Sequence, residues 1–155
     1  MNDLIAELAR TLQARNWMLA TAESCTGGMI AAACTDLAGS SNWFERGFVT
    51  YSNEAKQELL GVPGALLAEH GAVSEPVARA MAAGALQRSR AQCSLAVTGI
   101  AGPGGGSAGK PVGTVWFGWC IAGQTHAERM LFSGDRAQVR AATVTHALQR
   151  LLQQI

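Results

Sequence analysis

The segment that most constrains the fold is an apolar run that passes through a glycine-containing turn into an alanine-rich run. Residues 18–22 predict a short buried strand, and residues 29–34 predict a helix because alanine has the highest helix propensity. Between them lies the sequence Glu-Ser-Cys-Thr-Gly-Gly at positions 23–28. A strand that turns directly into a helix is typical of α/β domains.

The same alternation continues along the chain. Hydrophobic periodicity and capping residues predict helices at 3–15, from an Asn53 cap to Leu60, at 65–69, from a Ser74 cap to about Arg90, and from 133 onward. Strands are predicted at 43–51, 94–98, 112–121 and 126–132. The last two are close enough to form a hairpin around Gly123. We therefore expect a single three-layer α/β/α domain over residues 1–155, with a mixed, mostly parallel central sheet.

Composition excludes several classes of protein. Of the 155 residues, 48% are hydrophobic and 15% are charged, which separates the chain from disordered proteins. The net charge of +1 and the scattered basic residues argue against nucleic acid as a partner. The N-terminus shows no signal peptide, and no apolar stretch approaches the roughly 20 residues that cross a bilayer. We expect a soluble, cytoplasmic protein that does not bind membranes.

The four cysteines are predicted to be buried thiols. They are widely spaced, form no CxxC pair and have no histidine cluster nearby, so neither disulfides nor a metal site are expected. These residues are Cys25, Cys34, Cys93 and Cys120.

Ser24 is the first candidate for chemistry. At a turn from strand to helix, its hydroxyl can project into a cleft beside backbone N–H groups, an arrangement that suits a nucleophile and its oxyanion hole. The alternative is that Ser24 or Thr26 only caps the helix, a common role for these residue types.

A serine nucleophile also needs a base. None of the three histidines lies in a polar or glycine-rich cluster, so a Ser-His-Asp triad is poorly supported. Lys56 is the better candidate, because a lysine withdrawn from water can become neutral and accept the serine proton. The alternative is an ordinary solvated lysine on a helix.

Two polar segments follow predicted strands, where ligands often bind in α/β sheets. One contains Tyr51 and Asn53, and its alternative role is a strand end followed by a helix cap. The other is the loop from Thr98 to Gly106, which lacks the order of a phosphate-binding loop and has a surface turn as its alternative.

Arg136 and Arg140 lie four residues apart on the last helix. At this spacing, their guanidinium groups can converge on a phosphate or a carboxylate. The alternative is that they are solvated or paired with a neighbour such as Asp135.

Six ordered motifs resemble the CinA C-terminal domain family, which includes nicotinamide-nucleotide amidases. They extend over most of the chain and lie at 22–28, 50–56, 71–75, 98–103, 110–115 and 134–136. Two-domain CinA proteins carry a larger N-terminal domain, which we do not expect here. The resemblance favours the catalytic alternatives for Ser24 and Lys56.

The resemblance implies a serine amidohydrolase that converts nicotinamide mononucleotide to nicotinic acid mononucleotide and ammonia. In such an enzyme Ser24 attacks the carboxamide, Lys56 acts as the base, and Tyr51 positions or relays the proton. Turn amides near Thr26 and Gly27 would stabilise the oxyanion. No metal or organic cofactor is implied.

The remaining expectations concern substrate and assembly. We expect the loop after Thr98 to surround the nucleotide, and Arg140 to bind its phosphate. The full set of expected substrate contacts is Thr26, Gly27, Gly28, Asn53, Thr98, Gly99, Gly102 and Arg140. We also expect a homodimer. Two other functions stay open: a noncatalytic nucleotide-binding module in a competence or DNA-damage response, and an amidase for another small carboxamide.

Overall fold

A five-stranded sheet forms the centre of the protein, which a computed structural model describes over residues 1–155. The strands are β1 (Leu19–Glu23), β2 (Phe44–Val49), β3 (Cys93–Gly99), β4 (Thr114–Ile121) and β5 (Gln124–Leu131). The helices are α1 (Asn2–Ala14), α2 (Met29–Thr35), α3 (Asn53–Leu60), α4 (Gly64–His70), α5 (Glu75–Gln87) and α6 (Arg136–Gln154), with a 3₁₀ turn at Ser40–Asn42. None of these helices has the length and apolar character needed to cross a membrane.

The strand order is β2-β1-β3-β4-β5, and the sheet is mixed as predicted. Strand β1 pairs in parallel with β2 and β3, whereas β4 is antiparallel to both β3 and β5. Only β4 therefore runs against the other four strands. The expected hairpin joins β4 to β5 through Ala122 and Gly123, which both have positive φ, as a tight two-residue hairpin turn requires.

Helices cover both faces of the sheet, which confirms the three-layer architecture. On one face, α1, α2 and α6 enclose a core that includes Leu12, Ile30, Leu95, Phe117 and Leu148. On the other face, α3, α4 and α5 enclose a second core that includes Leu60, Val77, Met81, Ala96 and Cys120. Helix α5 lies directly on β4, because the missing side chain at Gly118 leaves room for the carbonyl of Ala78.

Two predicted helix caps are wrong in detail. Ser52, and not Asn53, caps α3, since Ser52 has extended backbone and its Oγ accepts a hydrogen bond from the Ala55 amide at 3.0 Å. Asn53 is already the first helical residue. Ser74 occupies the cap position of α5, but its hydroxyl donates to the Gly71 carbonyl and caps no helix amide.

The connections of the sheet place a crevice at the carboxyl ends of β1 and β3. Strand β1 leads to β2 through α2 on one face, while β2 leads to β3 through α3, α4 and α5 on the opposite face. The chain thus passes from β1 to β2 on one side of β1, and then returns to β3 on the other side of β1. Such a switch point is where open α/β sheets bind their ligands.

Candidate active site

A pocket of about 290 Å³ opens at this switch point. Three strand ends and the first turn of α6 form its walls. The polar and glycine residues that line it are Ser24, Tyr51, Asn53, Lys56, Thr98, Gly99, Gly102, Gly104 and Arg136, together with Cys25 and four apolar residues at 72, 73, 100 and 101.

Ser24 lies in a tight turn between β1 and α2. Its amide donates to the Val97 carbonyl of the neighbouring strand at 3.1 Å, and its own carbonyl accepts from the Gly27 amide at 3.0 Å. Helix α2 begins only at Met29, with Gly28 in the cap position at φ 107°. Neither Ser24 nor Thr26 caps the helix, so the capping alternative for both residues is wrong.

Three amides of this turn have no partner within the protein. The N–H groups of Cys25, Thr26 and Gly28 donate to no backbone or side-chain acceptor, whereas the Gly27 amide is used within the turn. Cys25 and Thr26 directly follow Ser24, and their amides are the free pair nearest the nucleophile in sequence, whereas the Gly27 amide of the predicted pair is already used.

Lys56 reaches the turn from α3. Its side chain is 1% exposed, and its Nζ lies 3.0 Å from Ser24 Oγ, 3.0 Å from the Thr50 carbonyl oxygen and 3.3 Å from the Tyr51 carbonyl oxygen. No carboxylate forms an ion pair with it. Burial lowers the pKa of Lys56 from its ordinary value of 10.5, because desolvation disfavours the ammonium form. The solvated-lysine alternative is wrong.

Tyr51 has two separate contacts at the pocket. Its main-chain carbonyl faces Lys56, while its exposed phenol accepts a hydrogen bond from Arg136 Nη2 at 3.1 Å. Arg136 Nη1 also donates to the Gly102 carbonyl at 2.9 Å. Arg136 thus links the segment after β2 to the loop after β3. The relay role of Tyr51 stays a prediction.

Three residues expected to contact substrate in the β3 segment do line the pocket. The Thr98 hydroxyl donates to the Ala72 carbonyl at 3.0 Å, which leaves its oxygen lone pairs available. Gly99 packs so tightly against Val115 that a side chain there would overlap it. Gly102 has a φ of +82° and faces Arg136. Their binding roles stay predictions.

Four other residues expected to contact substrate are not among those that line the pocket, and they form or hold the turn after β1. Their binding roles stay predictions. Thr26 is fully buried, and Gly27 and Gly28 supply positive φ angles. Arg140 Nε donates to the Cys25 carbonyl at 3.0 Å, and its Nη2 donates to the Thr26 carbonyl at 3.2 Å. The guanidinium of Arg140 therefore contacts the backbone of the turn, and Arg136 is the arginine that lines the pocket.

Glu23 was not considered as a site residue, and Arg136 was a candidate anion contact that the expected set of substrate contacts did not include. The Glu23 carboxylate is fully buried and accepts hydrogen bonds from the Thr26 hydroxyl at 2.6 Å and from the amides of Ile30 and Ala31 at 2.9 and 3.0 Å. A glutamate at the end of an apolar strand run was the available signal, since an acidic residue is rarely buried without partners. The structure separates Arg136 from Arg140, because Arg136 lines the pocket and Arg140 contacts the backbone of the turn.

Cys25 is an unsuitable nucleophile although it adjoins Ser24. Burial raises the pKa of its thiol to about 11, so the reactive thiolate is scarce at neutral pH. All four cysteines are buried and free, as predicted. Ser24 is the hydroxyl in contact with a buried amine.

The fold and the Ser24–Lys56 pair define a class of protein: a three-layer α/β protein with a serine hydroxyl against a buried lysine amine at the end of parallel strands. The family model described as the CinA C-terminal domain matches residues 1–155. The chain belongs to this family, which confirms the resemblance of the six motifs.

Individual relatives support the same grouping. The chain is 55% identical over 152 residues to a protein of Escherichia coli K12 named nicotinamide-nucleotide amidohydrolase PncC, covering 97% of this chain and 92% of that one. It is 56% identical over 134 residues to a CinA-like protein of Akkermansia muciniphila, covering 86% of this chain and 32% of that one. A crystal structure of competence damage-inducible protein A from Klebsiella pneumoniae superposes with a TM-score of 0.94 at 48% identity, covering 97% and 94% of the two chains.

Proposed function

We propose that this protein is a nicotinamide-nucleotide amidohydrolase, which converts nicotinamide mononucleotide and water to nicotinic acid mononucleotide and ammonia in pyridine nucleotide salvage. The observation that carries the chemistry is the 3.0 Å contact between Lys56 Nζ and Ser24 Oγ, two buried side chains that line the pocket. The substrate comes from the name of the Escherichia coli relative, which is 55% identical over nearly the whole chain.

The contacts of Lys56 favour a neutral amine. Two of its three neighbours are the carbonyl oxygens of Thr50 and Tyr51, which only accept hydrogen bonds. A neutral amine has two N–H groups for these carbonyls and one lone pair for the third neighbour, the Ser24 hydroxyl. With the lowered pKa and no carboxylate partner, this geometry suits a general base.

The reaction then proceeds in two stages, through an ester of Ser24. Ser24 Oγ bonds to the carboxamide carbon while its proton moves to Lys56 Nζ, and the negative charge develops on the former carbonyl oxygen beside the amides of Cys25 and Thr26. The C–N bond breaks as the lysine proton passes to the leaving nitrogen, which gives ammonia and a seryl ester. Water then gives a proton to Lys56 and attacks the ester, and Ser24 takes the proton back as the acid leaves. No metal or organic cofactor takes part in these steps.

Arg136 is the group best placed for the substrate phosphate. It lines the pocket, and its guanidinium is exposed and forms no ion pair with an acidic side chain. Arginine binds phosphate through a planar fork of N–H donors. We assign to Arg136 the phosphate contact that the sequence had suggested for Arg140, with Asn53, Thr98, Gly99 and Gly102 around the rest of the nucleotide.

The test is ammonia release by the purified protein from nicotinamide mononucleotide, with nicotinamide, nicotinamide riboside and NAD in parallel reactions. We expect release from the mononucleotide in preference to the other three compounds. Binding of the mononucleotide without ammonia would contradict the proposal and favour a noncatalytic nucleotide-binding module. Faster release from another carboxamide would keep the chemistry and change the substrate. The expected homodimer and cytoplasmic location stay predictions.

A further inference from the structure

The guanidinium of Arg140 contacts the backbone of the catalytic turn and does not line the pocket. It donates from Nε to the Cys25 carbonyl and from Nη2 to the Thr26 carbonyl, and it forms no ion pair with an acidic side chain. Gly27, with a φ of +59°, lies against it, and Nη2 is 3.6 Å from where a Cβ of Gly27 would be. Because its hydrogen bonds go only to backbone carbonyls, Arg140 can affect the site only through the peptide groups that carry these carbonyls.

Peptide geometry connects these contacts to the pocket. A trans peptide is planar, and its C=O and N–H point in opposite directions. The carbonyl of Cys25 and the N–H of Thr26 belong to one peptide, so a donor that holds this carbonyl directs the Thr26 N–H the opposite way. The Thr26 N–H is one of the amides of the turn without a partner in the protein.

The unpartnered amide of Cys25 is fixed by the turn itself. The carbonyl of Ser24 and the N–H of Cys25 form one peptide, and this carbonyl accepts from the Gly27 amide at 3.0 Å. The N–H of Cys25 therefore points away from that bond. One amide is held by a backbone hydrogen bond and the other by an arginine from α6, 114 residues away along the chain.

We propose that Arg140 is a positioning residue that orients and polarises the Thr26 amide as an oxyanion donor, and that it does not contact the substrate. A hydrogen bond from a cation to the Cys25 carbonyl draws electron density toward that oxygen and makes the N–H of the same peptide a stronger donor. This effect increases as negative charge develops on the substrate oxygen, so it acts on the transition state more than on the bound substrate. The inference rests on the proposed amidohydrolase function.

The experiment measures kcat and KM of Arg140→Lys and Arg140→Met for ammonia release from nicotinamide mononucleotide. Loss of one oxyanion donor costs about 10²- to 10³-fold in kcat, and a donor that is misdirected costs less, so we expect a fall in kcat of about 10- to 100-fold for Arg140→Met. KM should change by less than about threefold, because substrate binding keeps its contacts. Arg140→Lys retains a charge but holds one carbonyl at a time, and its kcat should lie between those of Arg140→Met and the unaltered protein.

Two further measurements separate positioning from a loss of fold. Methylguanidinium added to Arg140→Met should raise kcat, since the small cation can occupy the place of the Arg140 guanidinium at the turn. Arg150→Met is the matched control on the same helix, where Arg150 pairs with Glu128, and it should leave kcat unchanged. If Arg140→Met does not fold, Arg140→Lys carries the same comparison of kcat with KM.

The failures of the two proposals are distinguishable. If the unaltered protein releases no ammonia from the mononucleotide, the proposed function is wrong. If it does, an Arg140→Lys or Arg140→Met protein with unchanged kcat and a raised KM would overturn the inference and return Arg140 to phosphate binding. Unchanged kcat and KM would overturn it as well.

Discussion

The two glycine-containing segments at the strand ends differ in how they are held. The turn at 24–28 is mostly buried and is braced from two sides, by the Glu23 carboxylate and by the Arg140 guanidinium. The loop between β3 and β4 is exposed from Pro103 to Gly109 and is fixed mainly near its ends, for example by Arg136 at Gly102.

This difference corresponds to two different physical demands. A nucleophile and its oxyanion donors must stay within a fraction of an ångström of their working positions, which requires a turn that hydrogen bonds hold through its other polar groups. A loop that surrounds a nucleotide needs only to offer suitable groups at its base, where Thr98, Gly99 and Gly102 line the pocket. Changes to the turn should therefore lower kcat, while changes near the loop should raise KM.

The largest effect is expected at the centre of the turn. Ser24→Ala removes the nucleophile, and loss of such a group lowers kcat by about 10⁶-fold in serine hydrolases. Ammonia release should fall to the assay background, while the thermal unfolding midpoint should stay close to that of the unaltered protein. Ser94→Ala is the matched control, because Ser94 is also buried but donates to the Ala82 carbonyl on the α5 side of the sheet.

The two serine variants together decide the assignment. We expect Ser94→Ala to lose about 1 kcal/mol of stability with its hydrogen bond and to retain activity. A folded Ser24→Ala protein that releases ammonia at the normal rate would remove Ser24 from the mechanism.

Lys56→Arg should have the second largest effect. Guanidinium stays charged and cannot accept the serine proton, and general bases contribute about 10²- to 10⁴-fold to the rate. Because burial lowers the pKa of Lys56, the unaltered enzyme should gain activity as pH rises through that pKa, below the ordinary lysine value of 10.5. The measurement is kcat/KM against pH for both proteins.

Lys110→Arg serves as the control for this substitution. Lys110 donates to the His70 carbonyl outside the catalytic pocket, and its charge is retained in the variant. Normal activity in Lys56→Arg, with the same rising pH profile, would assign the base to another group.

The fold could be predicted from the sequence because local patterns determine it. The apolar run at 18–22 and the alanine-rich run at 29–34 correctly located β1 and α2, and the short spacing around Gly123 gave the hairpin. Helix ends were less accurate, because Ser52 and Asn53 are both good caps and only the backbone angles at Ser52 decide between them.

The site could be predicted only in part, because its contacts depend on tertiary packing and on the direction of individual side chains. Ser24 and Lys56 were identified by motif, and their contact required the packing of α3 against the end of β1. The roles of Arg136 and Arg140 depend on which way each guanidinium points from α6, and residues four apart on a helix carry no sequence signal that separates them. Glu23 was missed because its three partners come from the turn and from the first turn of α2.

The smallest expected effect tests the loop side of the comparison. Arg136→Gln removes a cation that links Tyr51 to Gly102 and lies at the pocket, and hydrogen bonds to charged groups contribute about 1.5–3 kcal/mol. KM for nicotinamide mononucleotide should rise by about 10- to 100-fold, with kcat changed much less, since the turn at 24–28 is untouched. Arg150→Gln, on the same helix and paired with Glu128, should leave both constants unchanged. A fall in kcat at constant KM would show that Arg136 acts on the turn and not on the substrate, and the division between the two segments would then be wrong.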